Sequence, residues 1–282
     1  MRSRLYSCNV VKPTYNSLRK ATCFFLAISF LLGAALALLL PEASYIYVYE
    51  NGGAIVDASH TDQGYVMVKR QSGKVQKLRL SLGKSVMSYD LNSNGAFEMF
   101  PLQFGDGHYK LEIFEQISGK KYQPVSSVTF AVTIPDPNVI YLYPNQYVSY
   151  DSESQAIAKS VEICANATTP EQKVEAIYRY FMGVMSYDYV FAAEVGKGKH
   201  KGYLPSVDRT LITNTGVCFD FSALFACMLR AQGIPTQLVI GYADKTYHAW
   251  NNILVNGTWY QYDVTSSISQ SQFKKYTPER VY

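Results

Sequence analysis

Charge is scarce in this sequence, at 17% of residues, and what there is nearly cancels. Of 26 basic and 22 acidic residues, five basic ones (Arg2, Arg4, Lys12, Arg19, Lys20) and one acid (Glu42) precede residue 44. The body that follows is neutral. A neutral body offers no electrostatic footprint to a phosphate backbone, which sets nucleic acid aside as a partner. Histidine is also rare, with four in the chain. His60 and His108 stand alone among strand-like runs, where an isolated histidine is a surface or core residue rather than a ligand. No spacing of ligand residues points to a metal or a cofactor. Disorder is excluded too, because 48% of residues are hydrophobic and can bury a core. The 24 tyrosines, most of them in strand-like runs, lean the reading toward β-structure.

The one long stretch without charge is ATCFFLAISFLLGAALALLL, residues 21–40. Twenty apolar residues span a ~30 Å hydrocarbon core as a helix. The basic residues before it favour holding that end in the cytoplasm and exporting the rest. The stretch exceeds the ~7–15 residues of a signal-peptide apolar region. Its A-x-A match, Ala35-Leu36-Ala37, lies inside it. A retained anchor is therefore expected: a single-pass cell-membrane protein with its body outside, secretion after signal cleavage being the alternative. Cys8 and Cys23 fall before the body, leaving Cys164, Cys218 and Cys227 within it. An odd count outside the cell leaves a free thiol or an intermolecular bond. Cys164 and Cys227 either pair or are plain buried residues.

Between residues 45 and 134 the sequence reads as short strands, at 45–49, 64–70, 75–80, 96–100, 108–115 and 127–133. Turn signals such as Asn51-Gly52-Gly53, Asn94-Gly95 and Gly105-Asp106-Gly107 separate them. Such runs predict a small antiparallel β-sandwich. In one of them Tyr109, Leu111 and Ile113 should face inward and Lys110 and Glu112 outward. The partner of this sandwich is unknown, and it reads as a spacer or binding module. Ile134-Pro135-Asp136-Pro137 marks the boundary, since two prolines in four residues remove ladder donors and force extended backbone.

Past the boundary the period becomes helical. Ile157, Val161 and Cys164 form one stripe, and Val174, Ile177, Tyr178 and Phe181 another behind a Thr169-Pro170-Glu171-Gln172 capping box. Ser186-Tyr187-Asp188-Tyr189 follows, then residues 190–216 without a clear period, read as a long loop.

Chemistry concentrates in residues 214–263. Cys218 opens an apolar helix with Phe221, Leu224, Phe225, Met228 and Leu229 in a stripe, ended by Gly233 and Pro235. Unpaired amides and the positive dipole end favour a thiolate at such a position and could bind an oxyanion. Two strands then meet at Asn256-Gly257, a two-residue hairpin turn. That turn sets Val255 opposite Thr258 and Trp250 opposite Asp263. His248 and Asp263 thereby share a face as diagonal neighbours, ~7–8 Å apart. An imidazole oriented by a carboxylate suits that spacing.

Gly216-Val217-Cys218, Ala231-Gln232-Gly233-Ile234-Pro235, Gly241-Tyr242, His248-Ala249-Trp250 and Trp259-Tyr260-Gln261-Tyr262-Asp263 together resemble the transglutaminase-like core of papain-like cysteine enzymes. The resemblance covers roughly residues 150–265. It departs from the family in placing Val264 after the aspartate, where proline is common. It implies Cys218 as nucleophile, His248 as base and acid, and Asp263 as the residue orienting the histidine, with Tyr187 or Tyr189 as candidates for a second oxyanion donor. The expected fold is α+β: a basic cytoplasmic tail (1–20), a transmembrane or signal-anchor helix (21–40), an antiparallel β-sandwich (44–134) and a papain-like transglutaminase domain (138–282). The expected activity is attack on a carboxamide or peptide bond of a protein or peptide substrate. Hydrolysis is preferred because no calcium-site pattern of the crosslinking enzymes is seen. A protein-crosslinking acyltransferase, or a non-catalytic cell-surface binding or scaffold module retaining the fold, are the alternatives.

Overall fold

The computed structural model describes residues 38–282. The basic tail and nearly all of the predicted membrane helix lie outside the described residues. Among the described residues no helix is long and apolar enough to cross a membrane.

The N-terminal part is built from eight strands: β1 (Val48–Asn51), β2 (Ala54–Asp57), β3 (Tyr65–Arg70), β4 (Gln76–Leu82), β5 (Ser85–Leu91), β6 (Glu98–Pro101), β7 (Gly107–Ser118) and β8 (Lys121–Val132). They form two four-stranded antiparallel sheets, in the orders β1-β2-β3-β6 and β5-β4-β7-β8. The period-2 reading of β7 holds: Tyr109, Leu111 and Ile113 are fully buried. Lys110 faces solvent, while Glu112 is half-buried because Arg79 (2.7 Å) and Lys110 (2.8 Å) both pair with it. Strands β2 and β5 are additions to the six expected. β2 is only four residues long, and β5 is an edge strand mostly exposed along its first half, so neither presents an alternating pattern.

The rest is mixed. Helices α1 (Gln155–Ile163) and α2 (Pro170–Val184) come first. Thr169 caps α2 by accepting from the Gln172 amide at 3.3 Å, and the Gln172 side chain accepts from the Thr169 amide at 3.3 Å. The stripe on α1 is phased differently from expectation. Val161 is 58% exposed, whereas Ser160 is buried and donates to the Met228 carbonyl at 2.7 Å. A satisfied hydroxyl can occupy a core position that apolar periodicity assigns to its neighbour.

The stretch expected as a long loop is more ordered than predicted. Between residues 190 and 216 it holds most of the short helix α3 (Tyr189–Gly196), the short helix α4 (Val207–Thr213) and the two-residue strand β10 (Thr215–Gly216), which pairs in parallel with β9 (Ser186–Tyr187) just before it. Neither helix spans enough turns to display a period. Their caps come from Asp188 and Ser206, which accept from the amides of Phe191 (2.8 Å) and Arg209 (3.4 Å).

Helix α5 (Cys218–Arg230) is the centre of this half, with every residue from Asp220 onward buried. A helix apolar nearly all round has to be surrounded, and it is. One side meets α1, α2 and α4, and the other meets a four-stranded antiparallel sheet in the order β13-β12-β11-β14. Its strands are β11 (Thr236–Ala243), β12 (Thr246–Val255), β13 (Thr258–Tyr262) and β14 (Tyr276–Val281), with helix α6 (Val264–Ser269) between the last two. Asn251 on β12 donates to the Ser222 carbonyl of α5 at 3.0 Å, fixing helix against sheet.

One contiguous apolar core runs through the N-terminal sheets and this α+β half. Arg230, at the C-terminal end of α5, is fully buried. It donates to the carbonyls of Tyr143 (2.6 Å), Thr236 (2.9 and 2.7 Å) and Tyr282 (3.0 Å), clamping the segment after the Pro135–Pro137 boundary onto β11 and β14.

Candidate active site

Cys218 is the first residue of α5, preceded by Val217 in extended conformation. At this position the leading amides of the helix have no intrahelical acceptor. The turn is held by Asp220, whose carboxylate accepts from the Val217 amide at 2.9 Å and from the Tyr203 hydroxyl. Burial raises the Asp220 pKa, with the two donors opposing. Gly216 precedes this turn because a Cβ there would come within 2.7 Å of the Asp220 Cβ.

His248 sits on β12, opposite Gly241 of β11. The ring is buried at 5% exposure, and its Nε2 meets Asp263 Oδ2 at 2.8 Å. The Asn256-Gly257 turn, with φ of 49° and 77°, delivers the predicted register, Val255 opposite Thr258 through Asn251 opposite Tyr262. Asp263 follows directly as the cap of α6, its Oδ1 accepting from the Ser266 amide at 2.9 Å. Nε2 being committed to the carboxylate, Nδ1 is the nitrogen left to face the thiol of Cys218, which lines the same cleft.

Burial works against a charged His248, but the hydrogen bonds and charges of Asp263 and Cys218 outweigh it and push the pKa up to about 9. Burial likewise works against ionised Asp263, and the His248, Ser266 and Tyr276 contacts overcome it, leaving the carboxyl below its ordinary value. The two shifts together favour a His248–Asp263 ion pair.

The structure therefore brings Cys218, His248 and Asp263 into one row. Of the two tyrosines proposed as oxyanion donors, Tyr187 lies close enough for the Cys218 charge to add to burial in raising its pKa to about 12. Tyr189 is 67% exposed. Cys164, the residue that ends α1, and Cys227, on α5, are buried free thiols, and burial pushes both pKa values up.

Several residues around the row escaped the sequence reading. Tyr276 donates to Asp263 Oδ2 at 2.8 Å, the same oxygen that holds His248. Phe273 and Trp250 flank the imidazole, with ring centroids at 5.0 and 6.4 Å. Tyr276 and Phe273 lie beyond the last motif, in a segment that carries no period. Asp220 could have been found, as an acid in the first turn of a helix whose cap residue has no polar side chain.

Cys218 and His248 open into a cleft of about 400 Å³. Its walls are mainly apolar and aromatic, among them Tyr147, Phe219, Leu204 and Tyr247, with Asp90 and Arg280 as charged members. Among the described residues no cluster of three side chains is arranged to ligate a metal.

Comparison with curated proteins finds no match to this sequence. Among solved structures, a candidate cysteine protease from Cytophaga hutchinsonii is 16% identical, covering 78% of this chain and 69% of its own, with a TM-score of 0.40. The periplasmic domain of TgpA from Pseudomonas aeruginosa is 14% identical, covering 80% of this chain and 96% of its own, with a TM-score of 0.38. Red sea bream transglutaminase is 15% identical over 71% of this chain and 48% of its own, with a TM-score of 0.28. A family model closes the comparison: residues 157–264, which carry Cys218, His248 and Asp263, match the transglutaminase-like superfamily, and that segment in the C-terminal half is transglutaminase-like.

Proposed function

We propose that this protein is a thiol enzyme that cleaves a carboxamide or peptide bond through Cys218, His248 and Asp263. The observation that carries the reading is the row itself: a helix-opening thiol and a carboxylate-held imidazole set in the wall of one cleft. The Cys218 sulfur attacks the carbonyl carbon, and the amides heading α5 receive the developing oxyanion. The imidazolium gives its Nδ1 proton to the departing amine as the C–N bond breaks, leaving a thioester. A second nucleophile then loses its proton to Nδ1 and attacks the thioester. The acyl group leaves, and the thiolate–imidazolium pair returns.

Water as that nucleophile makes a hydrolase, and an amine makes a crosslinker. We place hydrolysis first, because Cys218 is half-exposed at an open wall that water reaches. The test is to incubate the full chain with a thiol-directed activity probe and with a fluorogenic peptide, with and without a primary amine. Wild type should label and release the fluorophore, and Cys218→Ala should do neither. Label at Cys164 or Cys227 in place of Cys218 would overturn the assignment. Amine incorporation outrunning release would move the reading to transamidation. The apolar stretch 21–40 would tether this activity to a membrane with the body outside. An N-terminal tag should remain on the full-length, membrane-bound chain, and its loss near residue 43 with a soluble body would exclude the tether.

A further inference from the structure

The cleft that holds Cys218 also contains one guanidinium, that of Arg280 on β14. Among the described residues no carboxylate lies within ion-pair distance of it. The acid sharing the cleft, Asp90, is engaged by Lys77. The cleft it shares is lined by the phenols of Tyr147 and Tyr247, and Tyr282 packs on Tyr147 with ring centroids 3.9 Å apart. The Tyr282 hydroxyl is buried and makes no well-formed hydrogen bond among the described residues.

An arginine without a carboxylate, beside aromatic rings, has a planar fork of donors to offer an anion. Its position gives a distance. Arg280 pairs with Ile240, which pairs with Ala249, the neighbour of His248. Two interstrand spacings are about 10 Å, the reach of about three residues of extended chain. In the empty cleft water screens the charge, but a substrate lying along the apolar walls displaces that water and strengthens the pairing.

We propose that Arg280 is the carboxylate-recognising residue of this cleft, and that the preferred acyl donor is a peptide carrying a carboxylate within about three residues of the attacked carbonyl. The carboxylate belongs either to an acidic side chain or to the end of the peptide. This proposal rests on the thiol-enzyme reading above.

It is tested without requiring turnover, by alkylating Cys218 of the full chain. N-iodoacetyl peptides of one to three residues are made in three forms: ending in Glu-amide, ending in Gln-amide, and ending in Gln with a free carboxylate. In each reaction the Cys218 thiolate displaces iodide, and the rate is followed by mass spectrometry. The carboxylated form should react with wild type about tenfold faster than its neutral match at one or more lengths. That ratio should fall to near unity in Arg280→Gln and recover partly in Arg280→Lys. Advantage in the Glu-amide arm alone assigns an acidic peptide, and advantage in the free-end arm alone assigns a chain terminus. No advantage at any length, or one that survives in Arg280→Gln, overturns the proposal. If peptide hydrolysis persists in Cys218→Ala, the thiol-enzyme reading falls, whereas the alkylation ratio still reads Arg280.

Discussion

At the scale of single residues, the proton on His248 ties stability to pH, and it is the proton that the proposed chemistry hands to the leaving amine. The ring is held up to about 9, against 6.5 for an ordinary imidazole, so folding favours the protonated form. The stability this supplies is fully present below pH 6.5 and is lost as pH rises through about 9. Wild type should therefore lose melting temperature across that window relative to His248→Gln, and equal slopes would remove His248 from the explanation. Asp263→Asn should slow turnover on the order of 10–10³-fold, less than in a serine triad because a thiol needs less help. The alkaline limb of its kcat/KM profile should move down toward pH 6.5 as the imidazolium loses its counter-charge. Because Asn can still accept the Ser266 amide, the melting temperature should change little above about pH 9, where His248 is neutral in both proteins, and should fall only below it. A collapsed melting temperature would make Asp263 a structural cap first.

Among the elements, β14 holds the site from behind. It runs along β11 and brings Tyr276 to the Asp263 carboxylate. The approach is close at Gly241, where an added Cβ would meet the Thr277 carbonyl oxygen at 2.1 Å. Backbone cannot yield as a flexible side chain can, so Gly241→Ala should destabilise by about 1–3 kcal/mol. Activity should fall with it as β14 is pushed away from Asp263, and full activity with an unchanged melting temperature would show that the strand can shift freely. No sequence period announces β14, since its residues are mostly exposed and its place beside β11 depends on a long-range pairing. The β12–β13 register was readable from Asn251 to Thr258 because Asn256-Gly257 encodes its own geometry locally, whereas the expected Trp250–Asp263 pairing gives way to Asp263 capping α6. Cys218 was readable for the same reason, through an apolar helix with a clear start and stop. The helices α3 and α4 are set by caps from Asp188 and Ser206 and by packing, signals too short for periodicity to reveal.

Over the whole molecule, the buried Arg230 and the continuous core join what the prolines at 135 and 137 appear in sequence to separate. Arg230→Met would leave the carbonyls of Tyr143 and Thr236 without the guanidinium that holds them, at about 1–3 kcal/mol for each unsatisfied group, while Tyr282 keeps the Leu238 amide. The expected result is a large drop in melting temperature within a single transition. Two separate transitions in wild type would instead show that the N-terminal sheets and the α+β half unfold independently. The cleft follows the same division of the chain. Its thiol comes from α5 and its imidazole from β12, but Asp90 comes from the N-terminal sheets and Gln146 and Tyr147 from the segment joining the two parts. Relatives that keep α5 and β12 but change the N-terminal strands or the joining segment would therefore reshape one wall of the cleft with Cys218 and His248 left in place.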